Sequence, residues 1–379
     1  SISGNGNNEV FFVAGKQTLF RVNGEKIESL LPRGLTSRDW FDGFLDFQSK
    51  DSEFWIPSLN GLLRYPKIKN FADLARTPPM KVYTTKDGLF GDVTSAVFED
   101  SRGDIWISSP SATDSVVRFE RSTGKLQRYT KDEGLPTANG AIAFGEDSSG
   151  NIWIGFYMGE IFRFKNGEFR DMTGGARGRY SSVRRFLTDN QGKLWFSTRN
   201  RGLFRTSDPN ADEPLFENIS TENGLSSDLT DGLVKDNFGN IYVATGRGVD
   251  RIDSEIGRIK SFNKNDGLPD RVISKAYSDS AGVLWFSSDK SLIRYAPVPE
   301  TPGTRPPVFI EAISVNGKPR PVSELGEKEI KNFDLESAER QIKISFFSIS
   351  FDSGDSLQYE YKLNDQDWSE PSVRRTLEL

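Results

Sequence analysis

The sequence predicts an all-β chain: a seven-bladed β-propeller followed by a partial immunoglobulin-like β-sandwich. Seven aromatic residues, Phe12, Trp55, Trp106, Trp153, Trp195, Tyr242 and Trp285, recur at separations of 43, 51, 47, 42, 47 and 43 residues. Most copies share one frame, an Asp-x-x-Gly turn, an aliphatic-Trp-aliphatic strand, a short polar loop and a strand carrying Arg beside an aromatic or aliphatic residue. A period of about 40–50 residues with four short strands per copy lies in the propeller range, whereas ankyrin-type repeats are shorter and helical.

The copy around Trp106 shows how the elements are read. Asp87-Gly88-Leu89 opens it, 93–98 is a strand, Asp100 to Gly103 a tight turn, and Ile105-Trp106-Ile107 the next strand. A loop over 108–115 leads to strands 116–119 and 126–129, after which Glu133-Gly134-Leu135 opens the next copy. The same turn recurs at Asp147 to Gly150, Asp189 to Gly192, Asp236 to Gly239 and Asp279 to Gly282. Gly there supplies positive φ and Asp bonds its own backbone. None of these turns has the alternating oxygen ligands and closing Glu of a calcium loop, so no metal or cofactor is expected. The arginines Arg21, Arg64, Arg118, Arg163, Arg205, Arg251 and Arg294 follow their aromatic by nine to twelve residues in every copy, which assigns them to blade packing. The tryptophans are expected in the core.

Two copies depart from the frame. The first begins at Ser1 without most of the strand before its turn, so the first blade is expected to be incomplete. The Trp195 copy replaces Gly-Leu with Gly174-Gly175-Ala176-Arg177-Gly178-Arg179-Tyr180, a basic and flexible insertion.

Composition bounds the function. The net charge is −5 and no strong basic footprint exists, which disfavours nucleic acid. With no cysteine and no histidine, disulfides, thiolate metal sites, imidazole-ligated zinc, a Ser-His-Asp triad and a phosphoaccepting histidine are all excluded from this chain. No run of 18 apolar residues is present, so any membrane contact is expected through segments outside this chain.

The propeller is assigned to residues 1–297, and 298–307 is a proline-rich linker that favours extended backbone. Within 308–379, residues 309–315, 341–351 and 357–363 read as strands, with Asn316-Gly317 as a hairpin turn. Apolar phase switches between Ile342, Ile344, Phe346 and Phe347, Ile349, Phe351, which predicts a bulge or two buried faces. Too few strands remain for a closed sandwich, so the natural protein is expected to continue.

The repeated Asp-Gly-Leu, Asp-x-x-Gly-x-Leu/Ile-Trp and Gly-Leu/Val-x-Arg-Tyr/Phe segments resemble the two-component regulator propeller repeat, over residues 1 to about 297. Tyr359-Glu360-Tyr361-Lys362-Leu363 and Trp368 resemble the start of the three-tyrosine domain that follows such propellers. That resemblance implies the periplasmic or extracellular sensory region of a bacterial transmembrane signalling protein. A histidine kinase, hybrid kinase or cyclase output would lie beyond the membrane, and none is in this chain. Several members of that family sense polysaccharide fragments.

Propellers usually bind ligands with the loops from fourth strand to next blade and from second strand to third, which gather at one end of the channel. Those loops here carry Arg38, Trp40, Phe156, Tyr157, Arg177, Arg179, Tyr180, Arg199, Arg201, Arg247 and Arg271. Guanidinium forks and aromatic faces suit a small anionic or sugar-like ligand or an oligosaccharide. The same loops are equally consistent with an ordinary polar surface whose aromatics plug the channel mouth. A carbohydrate-active enzyme using paired carboxylates and a protein-interaction scaffold are the competing functions, although no distinctive carboxylate pair stands out. Dimerisation is expected through the C-terminal domain.

Overall fold

The structure, a computed structural model, describes the chain except residues 1, 5–8, 15–17, 25, 40–47, 51–52, 110–115, 137–139, 175–179, 300–306, 332, 349–356, 358 and 371. The chain divides into two compact units, Ser1–Val298 and Pro299–Leu379. Both are built from small antiparallel sheets, eight in all among the described residues, joined by loops and five short 3-10 turns.

Seven of these sheets belong to the first unit, in a propeller-like arrangement. Each is an antiparallel meander in chain order, its strands joined by connections of differing length. Their first strands are Ile2–Gly4, Gln48–Lys50, Ala96–Glu99, Ala141–Glu146, Val183–Thr188, Thr230–Lys235 and Lys275–Ser278. Every first strand touches the next in this series, and Lys275–Ser278 returns to touch Ile2–Gly4. The first blade, expected to lack most of its opening strand, has four strands with that opening strand only three residues long. The seventh sheet has three strands among the described residues. The copy around Trp106 resolves into Ala96–Glu99, Ile105–Ser108, Val116–Glu120 and Lys125–Tyr129.

What stacks the sheets is the periodic aromatic. Trp55 packs with Val97, Ile105 and Phe119 of the following sheet, and Trp106 with Phe144, Ile152 and Ile154. Trp153, Trp195 and Tyr242 repeat the arrangement one sheet further on each time, against Phe186, Leu233 and Ala276. Trp285 completes it by packing on Ile2, Val10 and Val22 of the first sheet. Trp55, Trp106, Trp153 and Trp195 are wholly removed from water. In the first copy the equivalent residue is Phe11, which pairs with Arg21 and packs on Phe54, and not Phe12, which stacks on Phe20 at 4.9 Å.

In four sheets the indole N–H also finds the carboxylate of the turn before it, whereas Trp55 Nε1 donates to Glu53 on its own strand at 3.1 Å. Trp106 Nε1 donates to Asp100 at 3.0 Å, Trp153 to Asp147 at 2.9 Å, Trp195 to Asp189 at 2.8 Å and Trp285 to Asp279 at 2.8 Å. Where Tyr242 replaces Trp, its hydroxyl donates to Asp236 at 3.2 Å. The other oxygen of each Asp accepts the backbone N–H groups two and four residues on, as in Asp189 with Gln191 and Lys193, both at 2.9 Å. One side chain thus closes the turn and satisfies the buried indole.

Across the next strand pair, each aromatic faces its arginine: Trp55 opposite Arg64, Trp106 opposite Arg118, Trp153 opposite Arg163, Trp195 opposite Arg205, Trp285 opposite Arg294. The guanidinium carbons lie 4.9, 5.6, 5.7, 5.3 and 5.9 Å from their ring centroids. These are cation–π contacts, repeated in five of the sheets. The Gly-Leu signature is a 3-10 turn. Thr84, Thr130, Ser220 and Asn263 cap it in capping boxes, and Gly88, Gly134, Gly224 and Gly267 end it at φ of 116°, 92°, 105° and 91°. The left-handed backbone delivers Leu89, Leu135 and Leu225 into the core.

The second unit holds one sheet, ordered Lys318–Arg320, Val308–Val315, Ile342–Ser348, Thr376–Glu378. Asn316 and Gly317, at φ of 48° and 77°, make its hairpin. The bulge lies in Val308–Val315 between Ile310 and Ala312, on the strand facing the one whose apolar phase switches. Among the described residues of 357–363, read as a strand, the one bridge is Tyr359–Ser372. Tyr359 is buried edge-on against Phe346, and its hydroxyl accepts the Ser348 N–H at 3.1 Å.

If the indole–carboxylate bond organises each sheet, Asp189→Ala lowers unfolding free energy by about 3 kcal/mol, because it also frees two backbone donors. Trp195→Phe costs about 1–2 kcal/mol and Trp195→Ala about 3–5 kcal/mol. Urea unfolding of the three variants checks this. A loss in Asp189→Ala no larger than for an exposed Asp would refute it.

Candidate functional site: a loop-lined cavity over Asp250

Because every sheet is an antiparallel meander, the fourth-to-first and second-to-third connections emerge at one end and the Asp turns at the other. Eight of the eleven site residues expected from sequence fall within the described residues; Trp40, Arg177 and Arg179 lie outside them. Arg38, Arg199, Arg201, Arg247 and Arg271 are exposed, and Tyr157 is 46% exposed. Two aromatics belong instead to the core. Phe156 is fully buried edge-on against Phe162, and Tyr180 is buried among Phe196, Phe204 and Phe216. Phe156 ends the strand Ile152–Phe156 and Tyr180 precedes the strand Val183–Thr188, and with both side chains turned inward neither offers a face to a ligand.

Only Arg247 and Arg271 of the set share a cavity among the described residues. It measures about 620 Å³ and is walled by Ser226, Arg247, Ser261, Asn263, Lys264 and Arg271, with main chain from Gly246. That volume is in the range of small-molecule sites. Arg271 Nη1 reaches Asp289 at 3.0 Å, and Lys264 approaches Asp270 at 3.6 Å. Such exposed pairs are weak and open readily. Arg247 has no ion-pair partner among the described residues, and its backbone N–H is fixed on Thr245 Oγ1 at 3.2 Å.

Beneath the cavity lies Asp250, fully buried. Its Oδ2 accepts the Ser226 N–H at 2.7 Å and the Ser226 hydroxyl at 2.9 Å, and Ser226 Oγ is also 2.9 Å from Thr245 Oγ1. Ser261 stands opposite Asp250 in the strand ladder, and Oδ1 has no hydrogen-bond partner within normal reach. Burial pushes the Asp250 carboxyl above its ordinary range, with Ser261 and Ser226 offsetting part of the effect. The wall residue Ser226 therefore also holds this carboxyl, with Ser261 opposite it in the ladder.

Sequence reading missed Asp250, yet a signal was present. The residue before the repeated arginine is Phe20, Leu63, Val117, Phe162, Phe204, Asp250 or Ile293, so six copies are apolar and one is a carboxylate. Copy-to-copy comparison at that position picks out the sixth sheet.

No family model matches the chain, and no curated protein matches it. Solved structures do. The extracellular domain of BT3049 of B. thetaiotaomicron, assigned to a hybrid two-component system, superposes over 100% of this chain and 50% of its own, with TM-score 0.64 and 15% identity. PorZ, a surface component of the type-IX secretion system of Porphyromonas gingivalis, covers 90% of this chain and 56% of its own at TM-score 0.57 and 11% identity. A catalytically inactive histidine-to-alanine variant of virginiamycin B lyase from Staphylococcus aureus covers 68% and 86% at TM-score 0.51 and 17% identity. The likeness is one of fold. This chain spans half the length of the BT3049 domain.

Asp250 sets a pH dependence. A folded-state carboxyl raised above its unfolded value favours the native state while protonated, and that advantage is lost as pH rises from the ordinary carboxylate range through the raised value. Asp250→Asn carries no such charge. Its melting temperature relative to wild type is expected to rise across that window and to level off above it. Parallel melting curves for the two proteins from pH 3 to pH 8 would show that Asp250 does not titrate differently in the fold.

Proposed function

We propose that this chain is the extracytoplasmic ligand-sensing module of a bacterial transmembrane signalling protein, built as a closed seven-bladed propeller followed by an immunoglobulin-like sandwich of the three-tyrosine type. It binds a sugar-like or anionic ligand in the loop cavity and passes the bound state through the C-terminal domain, where two copies pair. The observation that carries the reading is the cavity itself: Arg247 with no ion-pair partner among the described residues and the loosely paired Arg271 on its rim, serines and asparagines in its wall, and a buried carboxyl beneath. Guanidinium forks suit carboxylate or sulfate groups, and small neutral hydrogen-bonding side chains suit hydroxyls. The fold likeness to the BT3049 extracellular domain supports sensing over turnover.

The likeness to virginiamycin B lyase favours an enzyme as the second reading. Against it, the lyase variant that lacks activity has lost a histidine, and this chain has none. The one carboxylate in the cavity wall, Asp270, lies 3.6 Å from Lys264, and Asp250 is buried outside that wall, which gives no exposed carboxylate pair in the wall itself.

A thermal-shift and calorimetric screen of acidic and neutral oligosaccharides tests the proposal. Arg247→Ala and Arg271→Ala each change stability by about 0.5 kcal/mol or less and weaken the best acidic ligand about tenfold. Unchanged affinity in both variants moves the site elsewhere. New reducing ends or unsaturated products would make the chain an enzyme.

A further inference from the structure

Three neighbouring first strands, which start at the loop end and finish at the Asp turns, concentrate positive charge, and of their cations only Lys235 stands at the Asp-turn end, opposite the loop cavity. Val183–Thr188, Thr230–Lys235 and Lys275–Ser278 carry Arg184, Arg185, Lys235 and Lys275 against the single carboxylate of Asp231, in a protein whose net charge is −5. Asp231 is shared, 3.5 Å from Arg184 and 3.7 Å from Lys275. Lys235 stands apart from that group. Its ammonium donates one hydrogen bond, to the Thr188 carbonyl at 2.9 Å, and meets no carboxylate at ion-pair distance among the described residues. Two of its three donors are left over. Burial lowers its proton affinity, partly offset by Asp189, whose own oxygens are occupied by Gln191, Lys193 and Trp195.

A cavity of about 370 Å³ opens among the same strands, and its wall includes Arg185, Lys235, Asn190, Asn237, Tyr277 and Ser278. Asp236 also lines it, but its carboxylate is engaged by the Phe238 and Asn240 N–H groups, the Asn240 amide and the Tyr242 hydroxyl. We propose that this cavity is a second binding site, for a small organic anion of about monosaccharide size bearing a carboxylate or phosphate. The anionic group sits on Lys235, and the neutral part lies against the amides and hydroxyls of the wall. Three features argue for it together. A half-buried cation without a counter-charge is costly unless one is supplied. The volume exceeds what one ion needs and falls in the range of small-ligand sites. Beside apolar Phe186, Leu187, Leu233, Val234 and Ala276, the wall offers the neutral hydrogen-bonding side chains of Asn190, Asn237, Tyr277 and Ser278, of the kind that orient hydroxyls.

The site is independent of the loop cavity, and the test separates the two. Isothermal titration of the full chain uses glucuronate, glucose 6-phosphate, inorganic phosphate and glucose. Saturable binding of at least one of the two sugar anions is expected, with none for glucose, and which anion binds distinguishes carboxylate from phosphate. Lys235→Met weakens that binding about tenfold or more, Lys235→Arg retains it, and Arg271→Ala leaves it unchanged. In anion-free buffer Lys235→Met melts at or above wild type, since it removes an uncompensated half-buried charge, so lost binding is not lost folding. Should that variant not fold, Lys235→Gln replaces it. The proposal is overturned if neither sugar anion binds saturably at about 10 mM, if both Lys235 variants bind like wild type, or if Arg271→Ala abolishes the binding. Inorganic phosphate binding as tightly as the sugar anions would equally overturn it, leaving a bare ion site.

Discussion

The hydrogen bond from a buried indole to the aspartate six residues earlier is the constraint on which the propeller-like unit rests. A tryptophan wedged between two sheets brings a large apolar surface and one obligatory donor, and leaving that donor unpaired in a dry interface would cancel part of what burial contributes. The aspartate removes the problem while its second oxygen closes the tight turn. Turn geometry, indole orientation and sheet stacking are therefore set by one carboxylate, as in Asp189 with Gln191, Lys193 and Trp195. The arginine on the far side of each ring completes a layered contact of carboxylate edge, aromatic plate and guanidinium face.

That arrangement explains what could be read from sequence. Copied constraints leave a copied spacing, so the repeat, the packing role of the tryptophans and that of the arginines were all legible. The Asp–Trp bond was not, because it joins residues across a hairpin and each has a sufficient local explanation of its own. Phe11 and Phe12 are adjacent and identical, so only strand register tells which one takes the tryptophan position. In the C-terminal unit the expected strand over 357–363 is reduced to a bridge through Tyr359, since few of its groups find ladder partners among the described residues.

The site was less legible for the same reason. Loop position alone does not say whether a side chain points outward: Phe156 and Tyr180 turn into the core, Phe156 next to the exposed Tyr157. Arg247 and Arg271 lie in different loops, 24 positions apart, and only folding places them on one rim. The informative polar residues are those that break the copied pattern: Asp250 where other sheets have an apolar residue, and Lys235, which has no carboxylate partner among the described residues. A repeat protein in this sense separates its tasks, with periodic charges serving architecture and aperiodic ones left over for chemistry.

The contact of the seventh sheet with the first has a mechanical meaning. Six of the sheet-to-sheet contacts are backed by a covalent connection, whereas among the described residues Trp285 on Ile2, Val10 and Val22, with Tyr277 lying against Gly4, joins its two sheets by side-chain packing. A contact of this kind is held by van der Waals attraction and by exclusion of water, without a linker to limit how far the two sheets can separate.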